Sequence, residues 1–276
     1  MAEISDKTLR AFMANLAVVV PAYNEEASLR PLMQALGEAL PGVPVVVVND
    51  GGIDNTGALA RRLGAVVIDM PHNVGVGCAV QAGYQYAAAH GFSAVLRLDA
   101  DGQHPPAEAV KLIRRRLETG ADLVVGTRYG GGRGCVSTAF RSIGSKCLAG
   151  FLSLICRTRV TDPTSGFWLV SSPLLECFAR DFPTDYPEPE GIAILRRLGY
   201  SYAEAPVEFR ARRHGKSSIG GLGTLYFIVK VGLALVVDRV RRMDRRSERR
   251  HVEHAVATYG VRHGAANHQV GNGGEA

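Results

Sequence analysis

Cysteine is scarce and unpaired in this chain. Five stand at 78, 135, 147, 156 and 177, an odd number with no C-x-x-C spacing. A disulfide framework and a zinc site are therefore not suggested, and thiols in a reducing compartment are expected. Long apolar runs are also missing. The longest candidate, Leu222–Val237, is broken by Lys230 and falls short of the ~20 residues that a spanning helix needs. A mean hydropathy of +0.04 excludes a polytopic membrane protein, and 46% hydrophobic residues exclude a mostly disordered chain. The 32 glycines and 13 prolines follow no period, so collagen-like and solenoid readings fail. Residues 1–15 carry Glu3, Asp6, Lys7 and Arg10, and the first apolar run, Leu16–Val20, is too short for a signal core. A cytosolic protein is expected.

The 276 residues suffice for one full-sized domain with an appendage. Their net charge of +6 is unevenly placed: seven arginines between Arg239 and Arg250 stand against Asp244 and Glu248, which is +5 in that block. The chain before it reads as strands alternating with helices. Leu16–Val20, ended by Pro21, is a buried strand, and Glu25–Leu40 follows as a helix. Val43–Val48 is a second strand, with a helix from about 54 to 63 after it. Strands at 65–69, 94–98 and 123–127 alternate with helices at 76–90 and 106–119. Arg141–Ile155 reads as a further helix, and Phe167–Val170 and Tyr202–Phe209 as later strands with a helix near 190–198 between them. This rhythm means an α/β fold with a mostly parallel central sheet. The expected parts are an N-terminal extension (1–15), the α/β domain (16–221), an apolar helix with a basic end (222–246) and a disordered tail (247–276).

Open parallel sheets bind ligands at the carboxyl ends of their strands. Three strands here end in polar groups: Pro21-Ala22-Tyr23-Asn24-Glu25, Asn49-Asp50-Gly51, and Asp99-Ala100-Asp101-Gly102-Gln103-His104. Two carboxylates one residue apart, just after a buried strand, offer hard oxygen ligands for Mg²⁺ or Mn²⁺ beside a diphosphate. A bare D-x-D is otherwise a solvated turn. Gly75-Val76-Gly77 carries part of a dinucleotide fingerprint but lacks the third glycine, which discounts a dehydrogenase.

Those segments occur in order with Gly126-Thr127-Arg128-Tyr129 and Asp162-Pro163-Thr164-Ser165-Gly166-Phe167. The ordered set resembles the family-2 inverting glycosyltransferases of the GT-A nucleotide-sugar-binding fold, over roughly residues 16–240. Within that family it is most similar to dolichol- and polyprenyl-phosphate sugar transferases. It is also similar to bacterial cell-surface members with a Tyr-Pro-Glu-Pro-Glu segment (186–190) and a Gly-Lys-Ser-Ser-Ile segment (215–219).

The resemblance implies roles. Pro21, Ala22, Tyr23 and Glu25 match the loop around base and ribose, and Asp50 matches the carboxylate that meets the base. Asp99, Asp101 and Gly102 match the diphosphate and metal site, with Gln103 as a further metal ligand. Arg128, Arg141 and Ser145 match groups on the acceptor phosphate, and Arg212 and Ser217 the basic loop over the phosphates. Two departures stand out: Gly51-Gly52-Ile53-Asp54 replaces Gly-Ser-Thr-Asp, and Ser217-Ser218 replaces a Ser-Lys pair, with Lys216 one place earlier.

Transfer from a nucleotide diphosphate sugar passes through an oxocarbenium-like state while charge grows on the leaving group. An acceptor phosphate is already ionised and needs no base; an acceptor hydroxyl needs one, and Glu188 and Glu190 are the candidates. The alternative for the Pro-Glu-Pro-Glu segment is pocket shape alone. The expected partners are a UDP-, GDP- or dTDP-linked sugar, a polyprenyl phosphate or other glycan acceptor, and an anionic membrane surface or a small membrane protein. An apolar helix ending in arginines fits an interfacial anchor at the inner face of the plasma membrane. A helix packed on protein is the other reading, and no nucleic-acid recognition fold accompanies the block. Hydroxyl-acceptor transfer and non-catalytic nucleotide-sugar binding stand as alternatives to polyprenyl-phosphate transfer.

Overall fold

The computed structural model describes residues 4–129 and 139–210, with backbone alone for 139–145. In chain order the elements are α1 (Asp6–Met13), β1 (Leu16–Ala22), α2 (Glu26–Ala39), β2 (Val45–Asn49), α3 (Thr56–Arg62), β3 (Val66–Asp69), α4 (Val76–Ala89) and β4 (Ala94–Arg97). A 3₁₀ turn (Pro106–Glu108) leads into α5 (Ala109–Thr119). There follow β5 (Leu123–Thr127), α6 (Ala139–Cys156), β6 (Trp168–Ser171), α7 (Ser172–Arg180), α8 (Pro187–Arg197) and β7 (Tyr202–Pro206).

The strands form one sheet in the order β3-β2-β1-β4-β6-β5-β7. Among the described strands only β6 runs against its neighbours, pairing antiparallel with β4 and β5. Both faces are covered, which is why the strands read as continuous apolar runs rather than alternating ones. On one face α2, α3 and α5 supply Leu29, Leu36, Leu59, Leu112 and Ile113. On the other, α4, α6, α7 and α8 supply Val80, Tyr84, Leu152, Leu175, Phe178 and Ile192 around Trp168.

The expected α/β architecture is present, with several corrections. β1 does not stop at Pro21: Pro21 pairs with Val48 and Ala22 with Asn49. The register explains the tolerance. Val18 donates to Pro44, and Ala22 accepts from the Asp50 amide, so even-numbered residues bond toward β2. Val19 accepts from the Leu98 amide, so odd-numbered residues face β4. Pairing with β4 ends at Val19, so the donor that proline lacks would have met no strand.

Two helices have no counterpart in the sequence reading. α1 lies in what was expected to be an extension, with Ser5 Oγ accepting the Thr8 amide at its N-terminus. α7 follows β6 without a break and buries Leu174, Leu175 and Phe178. α8 begins at Pro187, earlier than expected, so Glu188 and Glu190 lie in its first turn and not in a loop. The expected parts at 222–246 and 247–276, and the basic loop of 211–221, lie outside the described residues.

Candidate donor-sugar and acceptor site

The ends of β1 and β2 build the first wall. Pro21 and Ala22 are buried in the strand, and Tyr23 is exposed at its rim. Asp50 is buried, and its carboxylate accepts the Val74 and Gly75 amides at 2.9 and 3.1 Å. It therefore fixes the loop that leads into α4, whatever else it meets. Gly51, at φ +64°, lies against this loop: a β-carbon there would overlap the backbone of His72 and Asn73.

The departure at Gly52-Ile53 leaves the turn well bonded. Asn24 Oδ1 accepts the Ile53 amide, Asp54 accepts the Glu26 and Thr56 amides, and the Glu25 amide donates to Thr56 Oγ1. The Ile53 side chain itself is 93% exposed.

β4 delivers the aspartate pair. The chain turns at Gly102 (φ +76°), and Asp101 Oδ1 accepts the Gln103 amide at 3.0 Å. Asp101 is buried, whereas the Asp99 side chain is 37% exposed. His104 closes the turn: its Nδ1 accepts the Asp99 amide at 3.0 Å, and its ring stacks on Phe167 and meets Phe209 edge-on. Burial pushes its pKa down to about 4, against a smaller opposing pull from Asp101. His104 is thus a neutral turn residue.

The antiparallel strand adds what the sequence reading did not foresee. Because β6 is reversed, the loop before it, Asp162–Gly166, reaches the same rim as the carboxyl ends of the parallel strands. Arg128, just past β5, is held there by Asp162, which has no exposure. Nε donates to Oδ2 at 2.7 Å and Nη2 to Oδ1 at 2.6 Å. Thr164 Oγ1 accepts from Nη2 as well, and the guanidinium lies 5.2 Å from the centre of the Phe209 ring.

Glu204, on β7, secures this loop from behind by accepting the Thr161 amide and hydroxyl at 2.6 and 2.7 Å. Phe209 thus touches both His104 and Arg128, and the aspartate turn and the Arg128–Asp162 pair share one platform.

A second residue missed by sequence reasoning is Arg97. It is buried on β4, donates to Glu188 Oε1 at 2.6 Å and lies 3.8 Å from Asp99. Burial opposes its charge, but Glu188 and Asp99 outweigh that and raise its pKa. A charged residue inside Ala94-Val95-Leu96-Arg97-Leu98 was the available signal. Glu190, two residues past Glu188, points about 200° round the helix from it. Arg141 and Ser145 fall on α6, where side chains are not described, and Arg212 and Ser217 lie outside the described residues.

The residues present fit a divalent cation. Asp99, Asp101 and the Gln103 side-chain carbonyl are hard oxygen donors, and the missing β-carbon of Gly166 keeps the Asp99 carboxylate uncrowded, since one there would stand 3.2 Å from Oδ2. Among the described residues no group of three or more His, Cys, Asp and Glu could hold a metal alone. A two-carboxylate site completed by a diphosphate is the arrangement Mg²⁺ favours.

A mostly parallel sheet of this order, with an aspartate pair at its carboxyl rim, defines an α/β transferase of the GT-A kind. The sequence profile described as Glycosyl transferase family 2 matches residues 17–178, more than half of the chain, and the chain belongs to that family. It is a glycosyltransferase. It is 29% identical over 237 residues to the polyprenol monophosphomannose synthase of Mycolicibacterium smegmatis, covering 81% of this chain and 89% of that protein. It is 30% identical over 220 residues to the dolichol-phosphate mannosyltransferase of Pyrococcus furiosus, covering 75% of this chain and 59% of the relative.

Among solved structures it is similar to glucosyl-3-phosphoglycerate synthase from Mycobacterium tuberculosis, crystallised with Mn²⁺, UDP-glucose and phosphoglyceric acid. The TM-score is 0.62 at 26% identity, over 87% of this chain and 85% of that one.

Proposed function

We propose that this enzyme moves a sugar from a nucleotide diphosphate sugar to the phosphate of a polyprenyl phosphate, with inversion, at the cytosolic face of the membrane. The observation that carries the reading is the shared platform. The Phe209 ring meets His104, which is bonded to the aspartate turn, and also lies 5.2 Å from the clamped Arg128 guanidinium. The aspartate turn suits a cation and diphosphate, and the guanidinium a second phosphate. The names of the two mannosyltransferase relatives support the lipid phosphate.

Asp99, Asp101 and Gln103 would hold Mg²⁺ or Mn²⁺, which when bound offsets charge on the departing diphosphate. Tyr23, Glu25 and the Asp50 loop form the wall for the nucleotide, and Arg128 orients the acceptor phosphate. An acceptor oxygen bonds to the anomeric carbon from the face opposite the diphosphate, whose bond to that carbon breaks, so the centre inverts. The acceptor arrives ionised, and no side chain has to take a proton. Arg141, Ser145, Arg212 and Ser217 belong to the same acceptor side through the family resemblance. The arginine block 239–250 would draw the enzyme to anionic lipid.

A second reading, a small acceptor in place of the lipid, is supported by the neighbour crystallised with phosphoglyceric acid. A hydroxyl on such an acceptor would call on Glu190 or Glu188 as base.

The test supplies Mg²⁺ or Mn²⁺, UDP-, GDP- and dTDP-sugars, and either a short polyprenyl phosphate or phosphoglyceric acid. Glycolipid from the wild type, reduced at least about 100-fold in Asp101→Ala, is the expected result. Product with the small acid alone would overturn the lipid reading.

A further inference from the structure

Arg97 is 1% exposed, on a strand whose neighbours Leu96 and Leu98 are fully buried. Its guanidinium carbon lies 5.6 Å from the centre of the Trp168 ring. Among the described residues only Nη2 has hydrogen-bond work, donating to Glu188 Oε1 at 2.6 Å and facing Asp99 Oδ1 at 3.8 Å. Nε and Nη1 are buried with no hydrogen-bond partner among those residues, as is the nearby Tyr84 hydroxyl.

A buried charge with unmet donors is a poor way to stabilise a core, and an apolar side chain of similar length would suit this layer better. What a methionine could not do is join two carboxylates from different elements. Asp99 lies two residues past β4, and Glu188 is in the first turn of α8, 91 residues away from Arg97. The packing is tight enough to hold the geometry: a β-carbon on Gly166 would stand 3.1 Å from Nη2 and 3.2 Å from Asp99 Oδ2.

We propose that Arg97 is a positioning residue of the donor cleft, whose single guanidinium sets the Asp99 carboxylate against α8 through Glu188, so that the metal–nucleotide meets a fixed acidic wall. Glu188 is then the partner of Arg97 and not a proton acceptor. Without the guanidinium the two carboxylates face each other across the gap it filled, and Asp99 moves off its place. The inference rests on the donor-site reading above and is independent of the acceptor.

The test uses the full chain, with Mn²⁺–UDP and Mn²⁺–GDP as probes for titration calorimetry, well below the melting temperature of each variant. Arg97→Met is expected to weaken binding of the preferred nucleotide at least about tenfold, and Arg97→Met with Glu188→Gln to recover part of that loss, because the repulsion is gone. Glu188→Gln alone raises the donor KM more than it lowers kcat. Arg97→Met binding nucleotide as the wild type does would make Arg97 structural only and overturn the proposal. A fall in kcat of more than about 100-fold in Glu188→Gln at unchanged donor KM would make Glu188 the base and overturn it too.

If Arg97→Met does not fold, Arg97→Lys decides. It keeps the charge but not the planar fork, and at least about threefold weaker binding is expected, with unchanged binding the overturning result. A wild type that binds neither nucleotide removes the donor reading itself, and this inference with it, before any variant is compared.

Discussion

Asp162 and Arg128 divide one task between a buried residue and a half-buried one. The carboxylate has no exposure and spends both oxygens on the guanidinium. Asp162→Asn keeps the shape but loses the charge and one acceptor. It is expected to cost about 1–3 kcal/mol in urea unfolding and to raise the acceptor KM well above any change in donor KM.

His104 gives a prediction about pH. Its folded pKa is about 4, pushed down by burial, below the unfolded value of about 6.5. The linked stability is therefore full above about pH 6.5 and is lost as pH falls toward 4. Melting temperatures of the metal-free protein between pH 7 and 4.5 should drop, and less steeply in His104→Gln. Asp101, Arg97, Arg128 and Asp162 surround the ring and set the field it titrates in.

At this scale the aspartate turn was legible because it is contiguous. Arg128 was legible only through a resemblance, since its partner lies 34 residues away. Arg97 announced itself as a charge in an apolar strand, but nothing local pointed to Glu188.

Elements were legible where apolar periodicity is strong and blurred where one runs into the next. β1, β2 and β5 stand close to their expected places. α7 was missed because Ser171 ends β6 and Ser172 begins the helix, leaving no turn to mark the change. The direction of β6 could not be read at all, since a four-residue apolar strand looks the same either way. That direction decides where Asp162–Gly166 falls, and so where the partner of Arg128 stands.

The junction of α4 with the segment before α8 is close enough to test. A β-carbon on Gly77 would overlap the carbonyl oxygens of Pro183 and Thr184. Gly77→Ala should lower the unfolding free energy in urea by about 1–3 kcal/mol through overpacking, and raise the donor KM by shifting the entry to α8.

For the molecule as a whole, no helix among the described residues is long and apolar enough to cross a membrane. If the arginine block serves the lipid surface, the enzyme sediments with vesicles containing anionic phosphatidylglycerol and not with neutral phosphatidylcholine. Raising the salt to about 0.5 M, where screening is strong, releases it. Equal binding to both vesicle types would remove the electrostatic part of the argument.

The strand order bears on how such a chain is made. The first four strands, β1 to β4, are neighbours in the sheet and are all synthesised before β5. Their half of the sheet can close early, but β4 then presents a bare edge with Arg97 still in water. β5 has no strand to join until β6 emerges between them. Trp168 arrives with β6, and Glu188 some twenty residues later. The arginine is therefore covered by β6 before Glu188 reaches it, and Asp99, two residues further along the same chain, is the counter-charge at hand in the interval.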